Sequence, residues 1–331
     1  MTQNTLRKVY DPVGRCIYCG STKYAPDSAR FLATEHIIPE GISGGLELPQ
    51  ASCRRCERAI NPWETKLLRG MLLGSRTYLK LETKRPKDRP GALPLFDTSV
   101  TPNRKMMVAI ADYPISVLLT AYDAPSVLTG LPMKMEETVW CRFLTEIDSP
   151  LLARKYGLHE FATSSLDAKA LCVTLAKIAH AYIAAELGIN NFIPLLPHFI
   201  IGDFFGWRRY YIGGHLNPPA PNPDADLHEI GLEEQINENW DYHVVRLRLF
   251  ANLGAPIYRI VAGRRLNSTT PEATLLEATD AQHSEYRNPA VEPINCPIPT
   301  GLWDQPSPSS NAAPARGLRR FVRVEGKPRS S

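Results

Sequence analysis

Apolar residues recur along 164–187 at spacings of three and four positions, which predicts one long helix. The apolar stripe consists of Leu171, Leu175, Ile178 and Tyr182. Ser164 or Ser165 can cap the amino end of this helix, and Gly188 is placed to end it. His180 lies beside the stripe, where we expect a core histidine with a satisfied hydrogen bond.

Shorter stretches with strand-forming apolar residues predict strands. These segments are 106–111, 115–120 and 138–143. Residues 242–250 alternate, with Arg246 and Arg248 on the polar face, and a turn leads from them into the apolar segment 257–262, which predicts an antiparallel hairpin. Helices and hairpin-forming strands together predict an α+β fold.

A helix start is predicted at Asn61-Pro62-Trp63-Glu64. Asn61 is a good N-cap, Pro62 suits the first helical position, and Glu64 completes a capping box. The helix should continue to about Tyr78 or Leu81. Asn61 and Glu64 are also candidate catalytic residues, and the capping pattern explains them equally well without that role.

The 331 residues divide into three parts by composition. Residues 9–84 are predicted to form a small head, rich in Cys, Gly and Pro near its start and stabilised by a metal ion. A basic stretch broken by Pro and Gly at 84–94 predicts the boundary to a larger α+β domain, the body, at 91–284. Residues 285–331 are rich in Pro, Ser and Asn and predict a disordered basic tail.

Charge is distributed unevenly along the chain. Residues 1–89 hold 16 Lys and Arg against 9 Asp and Glu, whereas residues 90–313 hold 16 against 24. A basic head on an acidic body favours a polyanionic partner for the head. The window 54–89 alone holds 11 basic residues against 4 acidic ones, which suits a phosphate backbone.

Four of the seven cysteines form two C-x-x-C pairs, Cys16 with Cys19 and Cys53 with Cys56. The pairs are 33 residues apart and predict a closed, structural zinc site with four thiolate ligands. Paired cysteines in an odd total favour metal ligation in a reducing compartment over disulfides. Residues 1–10 lack the apolar core of a signal peptide, and charged residues and prolines interrupt the longest apolar stretches, so we expect a cytoplasmic protein without a membrane span.

Glu35 and His36 lie side by side between the two cysteine pairs. On a strand they point to opposite faces, so one can hold a metal ion while the other turns toward a substrate, unless a bulge brings the two side chains together. Hydrolysis of a phosphodiester needs a base, a cation and positive charge along the backbone. His36 suits the base because an ordinary histidine titrates near neutral pH.

The pattern C-x-x-C-G, E-H-I-I-P, G-G and A-x-C-x-x-C over about residues 9–70 resembles the zinc-knuckle branch of the HNH endonucleases, which share the ββα-metal fold. The resemblance implies an endonuclease that hydrolyses DNA by a one-metal mechanism, with RNA as a further possible substrate. It implies that His36 is the general base, that Glu35 binds the catalytic Mg²⁺ or Mn²⁺, and that the four cysteines hold structural zinc.

Two positions depart from the family pattern. Leu48 stands where many members have an asparagine that orients the base, and Glu57 stands where many have the last metal ligand. Glu57 or Glu64 can complete the metal site, although Glu57 is equally well explained as a solvated helix residue. The departures motivate an alternative function, a non-catalytic zinc module that binds nucleic acid or a protein.

Overall fold

A computed structural model shows a mixed α+β fold, which confirms the predicted class. The structure describes residues 8–81, 87, 89–131, 137–163, 166–202, 208–236, 241–266 and 318–324. Its helices are α1 (Arg54–Lys66), α2 (Leu73–Tyr78), α3 (Ser126–Thr129), α4 (Ser149–Tyr156), α5 (Ala168–Leu187), α6 (Pro197–Ile201) and α7 (Arg208–Tyr211). A π-helical turn, Leu67–Met71, joins α1 to α2, so the backbone stays helical almost without a break from 54 to 78.

Fourteen strands are described, in four sheets. They are β1 (Lys8–Val9), β2 (Ala33–His36), β3 (Leu46–Ser52), β4 (Ala92–Asp97), β5 (Arg104–Ala109), β6 (Ser116–Ala121), β7 (Thr138–Phe143), β8 (Phe161–Ala162), β9 (Phe192–Pro194), β10 (Ile212–Gly214), β11 (His228–Ile236), β12 (Asp241–Leu249), β13 (Tyr258–Arg265) and β14 (Leu318–Val324). The largest sheet has the order β10-β13-β12-β11-β14, with β9 paired to β13. The head contains the small sheet β1-β3-β2, and the remaining sheets are β5-β4-β8 and β6-β7.

The strands expected from the apolar pattern are confirmed as β5, β6 and β7, each within two residues of its predicted bounds. The expected hairpin is the antiparallel pair β12 and β13. Arg248, expected on a polar face, is instead buried, and its Nε donates to the carbonyl of Ala255 at 3.0 Å. Seven of the nine residues of β12 are buried, and they include successive residues that point to opposite faces, so both faces of this strand are covered.

Helix α5 runs through the middle of the molecule. It begins at Ala168, and the side chain of Asp167 caps it by accepting from the backbone N–H of Ala170 at 2.8 Å. The expected caps Ser164 and Ser165 lie outside the described residues. Every residue from Ala170 to Ala184 is buried, so the predicted apolar stripe is part of a helix covered on all sides.

By length and composition alone, helix α5 could cross a membrane. However, 83% of its most apolar window is buried inside the fold. The core helix of a soluble protein passes the same test of length and composition, so the helix is weak evidence for a membrane span.

The head and the body share one hydrophobic core. Ile37 and Leu48 from the head belong to the same buried cluster as Ile178 of α5 and Val245 of β12. A second, smaller cluster surrounds β4 and β5. The stretch 84–94, expected to be a domain boundary, therefore does not separate two independent cores among the described residues.

Helix α1 begins earlier than the sequence pattern predicted. It starts at Arg54, directly after Cys53, and it contains Pro62 in its interior. Pro62 lacks the N–H that would donate to the carbonyl of Arg58, but it lies on the exposed side of the helix, where water can replace that bond. Asn61 is therefore an exposed residue inside the helix, and the prediction that it caps the amino end is wrong.

Seven residues of the expected disordered tail form strand β14. This strand pairs antiparallel with β11, and Arg323 lies opposite Glu229 in the register. The remainder of 285–331 lies outside the described residues.

Candidate functional site: a cysteine cluster and a buried lysine between two carboxylates

The four paired cysteines meet at one point in the head. Cys16 and Cys19 lie in the loop after β1, while Cys53 and Cys56 lie at the start of α1. Their four sulfur atoms all lie within 4.8 Å of one another. Gly20 adopts a φ of +75°, and its N–H donates to the carbonyl of Cys16 at 2.8 Å, which closes the tight turn around the first pair.

The cluster favours the ionised form of one thiol. The thiol of Cys56 donates a hydrogen bond to the sulfur of Cys16, and this lowers the pKa of Cys16 to about 5 although burial opposes the ionisation. The guanidinium of Arg55 lies beside Cys19 and Cys56, and its electrostatic interactions with these two side chains raise its pKa. Thiolates are the form that binds metal, so the four cysteines are positioned to hold a metal ion and their donor set suits zinc.

Glu35 and Glu64 converge, and a lysine lies between them. Nζ of Lys177 is 2.7 Å from Oε1 of Glu35 and 2.9 Å from Oε1 of Glu64. The side chain of Lys177 is 1% exposed and reaches this point from the middle of α5. Nζ also donates to the backbone carbonyl of His36 and lies 3.4 Å from that of Ile37, so four oxygens surround one ammonium group.

The two carboxylates keep the buried lysine charged. Burial alone would lower the pKa of Lys177, but the charges of Glu35 and Glu64 outweigh it and raise the pKa. Burial raises the pKa of Glu35, and the neighbouring charge of Lys177 opposes this shift. Tyr18 is buried beside Glu35, and its pKa is raised by burial and by the charge of that carboxylate.

His36 points away from the buried carboxylate, as expected for neighbouring residues on a strand. Its side chain is 33% exposed, and its Nε2 lies 3.9 Å from Oε2 of Glu40. Its Nδ1 is buried and has no hydrogen-bond partner among the described residues. The imidazole of His36 and the carboxylate of Glu35 therefore lie on opposite faces of β2.

The other candidate ligands have separate surroundings. Oε2 of Glu57 accepts a hydrogen bond from the hydroxyl of Tyr24 at 2.8 Å, and Asn61 is exposed to solvent. Within the part of the chain that the structure describes, the four cysteines are the one group of three or more Cys, His, Asp or Glu close enough to hold a metal ion. The catalytic divalent ion expected at Glu35 does not fit this geometry, because the ammonium of Lys177 already lies between Glu35 and Glu64.

Sequence reasoning missed Lys177. The available signal was a lysine in the middle of an otherwise apolar helix, three residues before His180. His180 is a satisfied core histidine, as expected, with Nε2 2.8 Å from the carbonyl oxygen of Ile17. Lys177 and His180 thus lie one helical turn apart, and both contact backbone carbonyls of the head.

Helix α1 presents a basic face to solvent. The basic face consists of Arg54, Arg55, Arg58 and Arg69, with Arg69 on the π-helical turn, and all four are exposed. The two acidic residues of α1 are turned toward partners in the protein, Glu57 toward Tyr24 and Glu64 toward Lys177. The side of the helix that meets solvent therefore carries positive charge.

No family model, curated protein or solved structure matches this chain. The resemblance to the HNH endonucleases rests on the motif residues themselves.

Proposed function

We propose that this chain is a zinc-stabilised protein that binds nucleic acid through the basic face of α1. The observation that carries the proposal is the arrangement of charge on this helix: four exposed arginines lie on one side, while Glu57 accepts a hydrogen bond from Tyr24 and Glu64 pairs with the buried Lys177. Arginines presented in this way contact phosphates, and such contacts release counterions.

Zinc supports this role through structure. Cys16, Cys19, Cys53 and Cys56 would hold the ion, which would join the loop after β1 to the first turn of α1. When bound, zinc supplies a closed tetrahedral centre that fixes the two segments to each other. The orientation of α1 comes from its own residues: Ile60 and Leu67 pack the helix into the shared core, and the arginines remain exposed on the other side.

The test is binding of a 20-base-pair DNA duplex, measured by fluorescence anisotropy over a range of salt concentrations. We expect Arg54→Ala/Arg58→Ala to bind at least about ten-fold more weakly, with the salt dependence reduced by about two counterions. Lys105→Ala/Arg154→Ala is the matched control, because both residues are exposed and lie outside the basic face. Equal binding by the two double variants, or no binding by the parent chain, would contradict the proposal.

DNA is the partner that we expect first, and RNA is the alternative. Phosphate contacts by arginine serve either polymer, so the same anisotropy measurement with a matched RNA duplex distinguishes them. Preference for RNA would revise the partner while leaving the basic face as the binding surface.

The second candidate function is a metal-dependent endonuclease with His36 as general base. The observation that favours it is the imidazole of His36, which is 33% exposed and has its Nε2 3.9 Å from Oε2 of Glu40. An accessible imidazole of this kind can take a proton from water.

Plasmid nicking with added Mg²⁺ or Mn²⁺ separates the two candidates. Nicking that disappears in His36→Ala, with the zinc content unchanged, would establish the endonuclease. Binding of DNA without cleavage under either metal would support the non-catalytic protein. A parent chain and a His36→Ala variant that cut equally would exclude His36 as the base.

A further inference from the structure

The surroundings of Lys177 have the composition of a divalent-cation site. Two carboxylates and two backbone carbonyls face Nζ, and hard cations such as Mg²⁺, Mn²⁺ and Ca²⁺ prefer such oxygen ligands. The ligands come from two parts of the head: Glu35, His36 and Ile37 from β2 and the residue after it, and Glu64 from α1. The lysine comes from α5, more than one hundred residues later.

The single positive charge of Lys177 does not balance two ionised carboxylates. Glu35 and Glu64 can carry two negative charges, whereas Lys177 supplies one positive charge. Burial raises the pKa of Glu35, the ammonium of Lys177 opposes this shift, and the charge of Glu64 adds to it. A divalent ion would match two carboxylates in charge, and it would also accept the two carbonyl oxygens as ligands.

We propose that Lys177 is a built-in replacement for a divalent cation: its ammonium holds Glu35 and Glu64 together, and it excludes Mg²⁺ and Mn²⁺ from the site. The replacement is enforced by the fold, because α5 is buried on all sides and cannot withdraw the side chain without opening the shared core. The proposal does not depend on nucleic-acid binding, since it concerns the ion that this pair of carboxylates accepts.

The structure explains how an ammonium serves here. Its Nζ donates to the carbonyl of His36 and forms ion pairs with Glu35 at 2.7 Å and Glu64 at 2.9 Å, so one ammonium contacts three residues of the head. Lys177 therefore joins β2 and α1 of the head to the central helix of the body. A free divalent ion would join β2 to α1 but would form no bond to α5.

The test uses the full-length zinc-loaded protein with Mn²⁺ as the probe. Binding is followed by the loss of the electron paramagnetic resonance signal of free Mn²⁺. Lys177→Met removes the ammonium while keeping most of the side-chain volume. We expect this variant to bind about one Mn²⁺ per chain, at least about ten-fold more tightly than the parent chain. Its melting temperature should rise when Mn²⁺ is added, whereas that of the parent should not.

The matched control is Lys177→Met/Glu35→Gln/Glu64→Gln, which lacks the ammonium and both carboxylate charges. This triple variant should show neither Mn²⁺ binding nor a rise in melting temperature. Zinc content is measured after each titration, so that exchange of zinc for Mn²⁺ at the cysteines is recognised.

Two outcomes would overturn the proposal. The first is a folded Lys177→Met that takes up no Mn²⁺. The second is a parent chain that binds Mn²⁺ and loses this binding in Glu64→Gln, because Lys177 would then not exclude the ion. If Lys177→Met does not fold with or without Mn²⁺, the measurement on the parent chain decides. A parent chain that binds no Mn²⁺, or whose Mn²⁺ binding is unchanged in Glu64→Gln, supports the proposal. A parent chain whose Mn²⁺ binding is lost in Glu64→Gln rejects it.

Discussion

His228 of β11 fixes Ile42 of the head through a hydrogen bond of 2.6 Å between its Nε2 and the carbonyl oxygen of Ile42. On the other side of the ring, Nδ1 accepts from the backbone N–H of Phe250 at 3.2 Å. A ring whose Nδ1 accepts must carry its proton on Nε2, so the imidazole is neutral and both nitrogens are satisfied. Burial lowers the pKa of His228 to about 4, from an ordinary value of 6.5.

This neutral histidine predicts loss of stability in acid. Between pH 6.5 and about 4 the unfolded chain binds a proton at His228 that the folded chain does not, so the free energy of unfolding falls as the pH falls. The contribution of neutral His228 to the free energy of unfolding is complete above pH 6.5 and is lost below about pH 4. It amounts to about 3 kcal/mol. Urea unfolding of the parent and of His228→Gln in zinc-saturated buffer measures it.

The difference between the two proteins should shrink from pH 7 to pH 4. His180 provides an internal comparison, since burial lowers its pKa to about 4 as well and it remains in both proteins. A parent and a variant with parallel pH profiles would show that His228 has the same pKa in the folded protein as in the unfolded chain.

Removal of zinc should destabilise the whole molecule. The cysteine cluster is part of the core that the head shares with the body, so its loss cannot be confined to a separate domain. We expect one zinc per chain by elemental analysis, and a fall in melting temperature of about 10 °C or more in Cys56→Ser. Cys141→Ser on β7 is the matched control and should keep both the zinc and most of the stability. Full zinc content in Cys56→Ser would contradict the assignment of this ligand.

Loss of the buried ammonium should be costly in buffer without divalent ions. Lys177→Met leaves Glu35 and Glu64 without their shared counter-charge, so the free energy of unfolding should fall by about 3–5 kcal/mol. Lys169→Met, on the same helix, removes an ammonium that lies 4.8 Å from the ring centre of Trp63 and should cost less than about 1 kcal/mol. Chemical denaturation measures both, and similar losses would mean that the charge pairing at Lys177 adds little stability.

Gly44 should not tolerate a side chain. A Cβ at this position would contact the carbonyl oxygen of Ile38 and would lie 2.6 Å from its carbonyl carbon, so the backbone would have to move. We expect Gly44→Ala to lower the free energy of unfolding by about 2 kcal/mol or more. Gly70→Ala is the control, because a Cβ there meets nothing within 4 Å. Equal stability of the two variants would show that the loop after β2 relaxes freely.

Local pattern in the sequence was sufficient for several features. The spacing of the cysteine pairs predicted a cluster that the four sulfurs form, and alternation predicted β5, β6, β7 and the hairpin β12–β13. The capping pattern at Asn61 failed, since α1 starts at Arg54 beside the second cysteine pair and continues through Pro62. Burial of Ile60 and Leu67 along one continuous helix outweighed the local preference for a start at Asn61.

The sequence by itself determined the elements whose cause is local: which residues alternate, where the thiols repeat, and that Glu35 and His36 face opposite sides of a strand. Tertiary structure alone decided what those side chains meet. Lys177 is 142 positions from Glu35 along the chain, and only the packing of α5 against the head brings its Nζ to 2.7 Å from that carboxylate. The charge of a buried group depends on its partners, and distant partners leave no periodic trace in the sequence.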